Sequence, residues 1–267
     1  MYLYCSPYGG FNDQLTLFDK AITYCTKYNR TLLLDTTKTC YQINWSDYFM
    51  FKDNQCPIIC DINKIRELLH DKDKLSVYPS CIKVNLIDTI TKNNEYSNLQ
   101  LPIQDPKDDI VIHRAMGGGD GFPVFKLLVF NDNIKTHCNN KYSLIPNPYL
   151  GIQIRNTDHA CDYVALYETN KELIHSYQTI YVATDCVEAL QFFKTSCINS
   201  SVFNFTTFQV IGNLHTSNIN SDTKIKDLMC DICMITMCDK LLTNSRGGFI
   251  SLMKHCHKND LVKRMFF

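Results

Sequence analysis

Residues 150–158 read Leu-Gly-Ile-Gln-Ile-Arg-Asn-Thr-Asp, and residues 179–185 read Thr-Ile-Tyr-Val-Ala-Thr-Asp. Each is a short run rich in β-branched and aromatic residues that ends abruptly in a charged side chain. Runs of this length and composition are buried strands, and a charge at the carboxyl end marks where the strand leaves the core. Between and after them lie segments of helical period, at 162–176, 187–195, 224–238 and 248–257. Further strands are expected at 240–243 and 208–211, with a last edge strand at 261–267. Strands alternating with helices at this spacing predict a doubly wound α/β domain with a parallel sheet.

The same pattern opens the chain. Residues 2–5 read as a strand, and 11–28 as a helix with Leu15, Phe18, Ala21, Ile22 and Cys25 on one face. Residues 31–34 are a second strand, which completes a β-α-β unit. The stretch 36–108 is less periodic: a helix is expected at 62–69, a strand at 82–86 and a polar loop at 105–109. A strand at 110–113 runs into Gly117-Gly118-Gly119-Asp120-Gly121, read as a lid, an acceptor-side loop or a surface loop, and 123–130 is helix-like. Residues 131–148 are polar, with Pro146 and Pro148 near the end, and mark a boundary between domains 1–145 and 146–267.

The chain has 267 residues, 45% of them hydrophobic, enough for two small cores. Its 27 basic and 27 acidic residues balance, which argues against a general nucleic-acid binder but leaves room for a local phosphate pocket. No stretch of about 18 apolar residues occurs, and the first residues have neither a basic flank nor an apolar core, so the expectation is a cytoplasmic chain without leader or anchor. The 14 cysteines, scattered through apolar runs, are then small buried hydrophobes.

Four places can carry chemistry. The turn Gly9-Gly10-Phe11-Asn12-Asp13 joins a strand to a helix N-terminus, where backbone N–H groups and the helix dipole favour an anion. The alternative there is a tight turn with Asn12 or Asp13 as N-cap. Arg155 ends a buried strand, and its fork suits a diphosphate; Asp158 either orients it or caps the next helix. Asp185 ends another strand and either holds sugar hydroxyls or caps a helix. Asp231 interrupts an apolar helical run and either has a polar partner or faces solvent. After the strand at 240–243, Asn244-Ser245-Arg246-Gly247-Gly248 forms a second candidate anion cradle. Weaker patterns are Cys230-x-x-Cys233, which lacks a matching second pair for zinc, and Asp71-Lys72-Asp73, a metal-binding pattern set in a charged stretch. Trp45 with Tyr41, Tyr48 and Phe49 either stacks on a sugar or forms an aromatic core.

Taken in order, these motifs resemble the superfamily of α1,2-, α1,6- and protein O-fucosyltransferases. The resemblance covers residues 1–35 and 149–257, while 36–148 match nothing alignable. It implies a GT-B-like fold, two Rossmann-like domains with parallel sheets facing a cleft. It also implies an inverting, metal-independent enzyme that needs no cofactor and takes GDP-fucose, with a glycan or glycoprotein as acceptor. By position, Arg155 matches the arginine that binds the donor β-phosphate, Asp231 the carboxylate that reads guanine, and Asp185 the Ala-Thr-Asp position. Ser245 and Arg246 fall in the loop near the phosphates. Gln153 stands where the family has His, and Asn156 where many members have a second Arg, which opens other donors such as UDP-xylose, or a non-catalytic binding module. The resemblance leaves the general base open among Asp13, Asp120 and Asp158, with Asp13 favoured.

Overall fold

The computed structural model describes residues 1–52, 55–70, 74–82, 98–156, 161–207 and 217–267. The chain divides into two compact units, Met1–Asn131 and Asp132–Phe267.

In the first unit the strands are β1 (Tyr2–Cys5), β2 (Thr31–Leu34), β3 (Phe49–Phe51), β4 (Ile58–Ile59), β5 (Val77–Tyr78), β6 (Ile110–His113) and β7 (Leu128–Phe130). The helices are α1 (Phe11–Tyr28), α2 (Ile62–Leu68) and α3 (Phe122–Phe125). Five strands form one parallel sheet in the order β4-β2-β1-β6-β5, and β3 and β7 make a separate antiparallel pair. Helix α1 forms because its apolar residues recur three and four apart: Leu15, Phe18, Ala21, Ile22 and Cys25 are all buried. It starts at Gly10 in extended conformation and stops where Asn29 turns left-handed, at φ 52°, its N–H closing on the Cys25 carbonyl. Helical character over 123–130 holds only to Phe125; Leu128, Val129 and Phe130 pair with Phe51, Met50 and Phe49 instead. The expected strand at 82–86 lies outside the described residues except for Ile82.

One ion pair anchors the loop that leads into β6. Arg30 and Asp105 are both shut off from solvent, with Nε and Nη2 of Arg30 at 2.8 Å and 2.6 Å from Asp105 Oδ1. Arg30 Nη1 donates to the Tyr2 and Asp108 carbonyls at 3.1 Å and 2.9 Å, and Tyr24 donates to Asp105 at 3.1 Å. The guanidinium thereby ties β1, the end of α1 and the 105–108 loop together.

The second unit holds α4 (Asp132–Tyr142), β8 (Leu150–Ile154), α5 (Tyr163–Thr169), α6 (Lys171–His175), β9 (Thr179–Thr184), α7 (Val187–Ser196) and β10 (Ser201–Phe203). It closes with α8 (Ser221–Met237), β11 (Lys240–Leu242), α9 (Gly248–Cys256) and α10 (Asp260–Phe266). Its sheet is parallel in the order β10-β9-β8-β11. The polar run 131–148 contains α4, which packs on α8 and α10, so the division falls at Asn131 instead of 145. The helix expected over 162–176 breaks at Asn170, whose amide donates to the Leu166 carbonyl at 2.8 Å. The last segment is helix α10 and not an edge strand. Asn259 caps the N–H groups of Leu261 and Val262, and Val262, Met265 and Phe266 lie buried at helical spacing. The strand expected at 208–211 lies outside the described residues.

Replacing Asp105 with Ala leaves the Arg30 charge buried without its carboxylate, and unfolding in urea at pH 7 is expected to show a loss of about 3–5 kcal/mol. Burial opposes the Asp105 charge, but Arg30 and Tyr24 outweigh it and hold the carboxyl below its usual range. The folded-state pKa is therefore depressed. The pair's contribution is present above the ordinary carboxylate range and lost as pH falls through the folded value. The stability gap between wild type and variant should narrow on acidification.

Candidate functional site

In an open parallel sheet, ligands gather at the carboxyl ends of the strands. In the second unit those ends are the last residues of β8, β9 and β11. Leu150 through Ile154 pair in register with Ile180 through Thr184, and Leu242 pairs with Ile152. The residue after β8 is Arg155, after β9 Asp185, and shortly after β11 the loop of Asn244, Ser245 and Arg246.

Short hydrogen bonds lock this edge. The Arg155 N–H donates to Ser245 Oγ at 2.9 Å, and the Ser245 N–H donates to Thr243 Oγ1 at 3.2 Å. The Thr243 hydroxyl donates to Gln153 Oε1 at 2.9 Å. Gln153 therefore joins β8 to the loop after β11. Asn156 bridges the other way: its N–H donates to Asp185 Oδ1 at 3.3 Å, its side-chain amide to Cys186 Sγ at 3.6 Å, and its Oδ1 accepts the Cys161 N–H at 2.8 Å. The Cys161 thiol donates to Asn244 Oδ1 at 2.7 Å, and Asn244 in turn donates to the Asp162 carbonyl at 2.7 Å.

Arg155 is half-buried and reaches the start of α9. Gly247, the residue before that helix, has φ +115°, and a Cβ there would lie 3.1 Å from Arg155 Nη1. Glycine is required twice over, for its backbone conformation and for the closeness of the guanidinium. Arg246 beside it is exposed. A guanidinium resting against a helix N-terminus, with a second arginine exposed in the same loop, makes a cationic edge suited to a diphosphate. The helix after β9 is capped at Cys186 and not at Asp185, which is tied to Asn156. Asp158 lies outside the described residues, as does Asp71-Lys72-Asp73.

Asp231 does not face solvent. It accepts the Tyr181 hydroxyl at 2.5 Å and the Thr206 hydroxyl at 3.2 Å and 3.3 Å. Burial pushes its carboxyl up to about 7, and the Asp227 and Asp185 charges push the same way, against the two hydroxyls. Asp227, one turn earlier in α8, accepts the Thr207 N–H at 2.7 Å, and burial raises its carboxyl too. The sequence reading singled out Asp231 alone. Asp227 carried the same signal, a carboxylate at i−4 on an apolar helix, whereas Tyr181 and Thr206 gave none. Cys230 and Cys233 are buried within the same helix.

In the first unit, Gly9 takes φ +97° and Gly10 starts α1. Asp13 is neither an exposed carboxylate nor the N-cap: its Oδ2 accepts the Gly10 N–H at 3.2 Å from the third helical position. The Phe11 ring is core, stacked on Trp45 at 6.2 Å and edge-on to Tyr41 and Phe125. Trp45, 1% exposed, is core as well. Asn12 is buried and clamps the glycine loop, donating to the Gly119 carbonyl and accepting the Gly121 N–H, both at 3.0 Å. That loop is pinned on α1: a Cβ at Gly117 would sit 1.9 Å from the Asp13 carbonyl oxygen. The Asp120 side chain is exposed and accepts the Phe122 N–H at 3.0 Å. The turn is largely internal: the Gly10 N–H is taken by Asp13, and the Gly9 carbonyl accepts from Gln14 and Cys40.

No family model and no curated protein matches the sequence. Solved structures do. The chain is similar to the α-1,6-fucosyltransferase NodZ co-crystallised with GDP, at 17% identity and a TM-score of 0.66, over 96% of this chain and 92% of that one. It is similar to the fucosyltransferase NodZ from Bradyrhizobium at 15% identity and a TM-score of 0.66, over 96% and 93%. It is also similar to POFUT1 in complex with GDP-fucose, at 11% identity and a TM-score of 0.57, over 97% and 95%. The fold is shared with these structures over nearly the whole length of each chain.

Asp231 gives a pH signature. Its folded-state pKa is raised, so its contribution to stability is fully present below the unfolded carboxylate value of about 4 and is lost as pH rises to about 7. Asp231→Asn removes that titration. In thermal melts the variant should gain on the wild type between pH 5 and pH 8, and a gap independent of pH would contradict the assignment.

Proposed function

We propose that the chain is a glycosyltransferase that moves L-fucose from GDP-fucose to a hydroxyl of a glycan or glycoprotein, with inversion and without a metal. The observation that carries this reading is the cationic edge of the second unit: Arg155 held against the start of α9, with Arg246 beside it. The fold shared with NodZ and POFUT1 supports it. In this reading the two units correspond to an acceptor-side domain and a nucleotide-sugar domain.

The chemistry is a direct displacement. The acceptor oxygen attacks the anomeric carbon, the bond from that carbon to the β-phosphate oxygen breaks, and the acceptor proton goes to a base. Charge accumulates on the departing diphosphate. Arg155, Arg246 and the first N–H groups of α9 stabilise it, and their positions are fixed before the reaction by the Ser245–Thr243–Gln153 chain. Asp231, with Tyr181 and Thr206, is the candidate for reading the base, and Asp185 for a sugar hydroxyl. Asp13, whose Oδ2 accepts the Gly10 N–H at 3.2 Å, is the favoured general base.

Gln153 and Asn156 replace the His and second Arg that the resemblance expects. Both side chains are used in bracing the edge, so their replacement does not leave it loose. The donor is tested by calorimetric titration in EDTA with GDP, GDP-fucose, UDP and UDP-xylose, on the wild type and Arg155→Ala. GDP and GDP-fucose are expected to bind the wild type, and at least about tenfold more weakly to the variant, the scale of a lost charge-assisted pair. Binding of uridine nucleotides alone changes the donor to one such as UDP-xylose. A folded chain that binds no nucleotide is a glycan- or protein-binding module.

A further inference from the structure

The carboxyl edge of the first unit's sheet carries a row of polar residues that the donor chemistry does not use. β1 pairs with β2 in the register Cys5 with Leu34, and with β6 in the register Cys5 with His113. One residue further, the Asp35 N–H donates to the Cys5 carbonyl at 2.9 Å and the Ser6 N–H to the His113 carbonyl at 3.0 Å. Ser6 therefore stands between Asp35 and Arg114. Side chains alternate along a strand, so all three project to the face of Tyr4, Leu33 and Ile112.

Asp35 is fully engaged. Its Oδ2 accepts the Tyr4 hydroxyl at 2.6 Å, and its Oδ1 accepts the Thr37 N–H and hydroxyl at 3.0 Å and 2.6 Å. Arg114 is not. Its guanidinium lies over the Tyr8 ring, 5.9 Å from the centroid. Its Nε and Nη1 are shut off from water and meet no acceptor among the described residues. The Ser6 hydroxyl, 1% exposed, is in the same condition. An arginine stacked by its face donates through N–H groups that lie in its plane, and each charged N–H pairs with an oxyanion oxygen. Three desolvated polar atoms without partners are costly in a closed core but are expected where a ligand completes the set.

We propose that Arg114, backed by Tyr8 and flanked by Ser6, binds an oxyanion carried by the acceptor, a carboxylate or a phosphate on a sugar. Calling the ligand an acceptor rests on the transfer reading above; anion binding by the row does not. An acidic sugar would place one oxyanion oxygen on an unpartnered Arg114 N–H and another on the Ser6 hydroxyl, and a neutral sugar would leave the arginine charge unpaired.

The test is titration of the protein, labelled with ¹⁵N-arginine, with methyl glucuronide, glucose 6-phosphate, inorganic phosphate and neutral methyl glucoside. The Arg114 Nε resonance is assigned by its loss in Arg114→Lys. An acidic sugar is expected to move it and the neutral glycoside to leave it in place. By calorimetry Arg114→Gln should weaken the acidic ligand at least about tenfold while GDP affinity stays unchanged. A response to the glucuronide alone supports the proposal and gives a carboxylate source; a response to the phosphates gives a phosphorylated one. Should Arg114→Gln not fold, the wild-type resonance decides. Equal binding of neutral and acidic sugars, an unmoved resonance, or full affinity in the folded Gln variant overturns the proposal. If GDP fails to bind but the glucuronide moves Arg114, the transfer reading falls and the anion site stands.

Discussion

The pairing of β8 with β9 on one side and β11 on the other is the constraint on which the second unit's chemistry depends. Buried strands must satisfy every backbone N–H and carbonyl, and in a parallel ladder a single register does so across all three. That register sets Arg155, Asp185 and the 244–246 loop side by side as the chain emerges. A slip of one residue would turn Gln153 and Arg155 together to the opposite face of the sheet. The hydrogen bonds from Arg155 to Ser245 and from Thr243 to Gln153 then convert a shared edge into a fixed geometry.

The polar groups buried by this fold are of two kinds. Some are closed sets. Asp35 with Tyr4 and Thr37 has its acceptors matched within the chain, and the Arg30–Asp105 ion pair with Tyr24, which leaves Asp105 Oδ2 without a hydrogen bond, serves position too. Others remain incomplete or strained toward neutrality, such as Arg114 with Ser6, or Asp231 with a carboxyl raised by burial. A domain stable by only about 5–15 kcal/mol cannot hold many groups of the second kind without a use for them. Arg114 and Ser6 sit at the carboxyl end of the first unit's sheet, which is where an open α/β fold receives ligands.

Much of this was legible in the sequence, because strand ends announce themselves by a switch from β-branched to charged residues. That switch locates Arg155 and Asp185, while glycines at strand-to-helix junctions locate the 244–248 loop and the β1–α1 turn. The fold class followed from strand and helix alternation, and solved structures at 11–17% identity share it. What sequence could not weigh was the competition for side chains. Phe11 and Asn12 stood in a ligand-binding position, yet one fills the aromatic core and the other clamps the glycine loop. Arg114 follows a strand in the same way, but the glycine run at 117–121 is the more prominent signal there. The apolar composition of the last segment suggests a strand, but the Asn259 cap starts a helix there.

In the proposed function, Arg155 and the start of α9 hold a diphosphate. A crystal structure of the chain grown with GDP in the absence of divalent metal tests it most directly. The account predicts the β-phosphate within hydrogen-bond distance of the Arg155 guanidinium and the first N–H groups of α9, with the Ser245–Thr243–Gln153 chain unchanged. A diphosphate bound away from Arg155, or no nucleotide at this edge at saturating GDP, would contradict it.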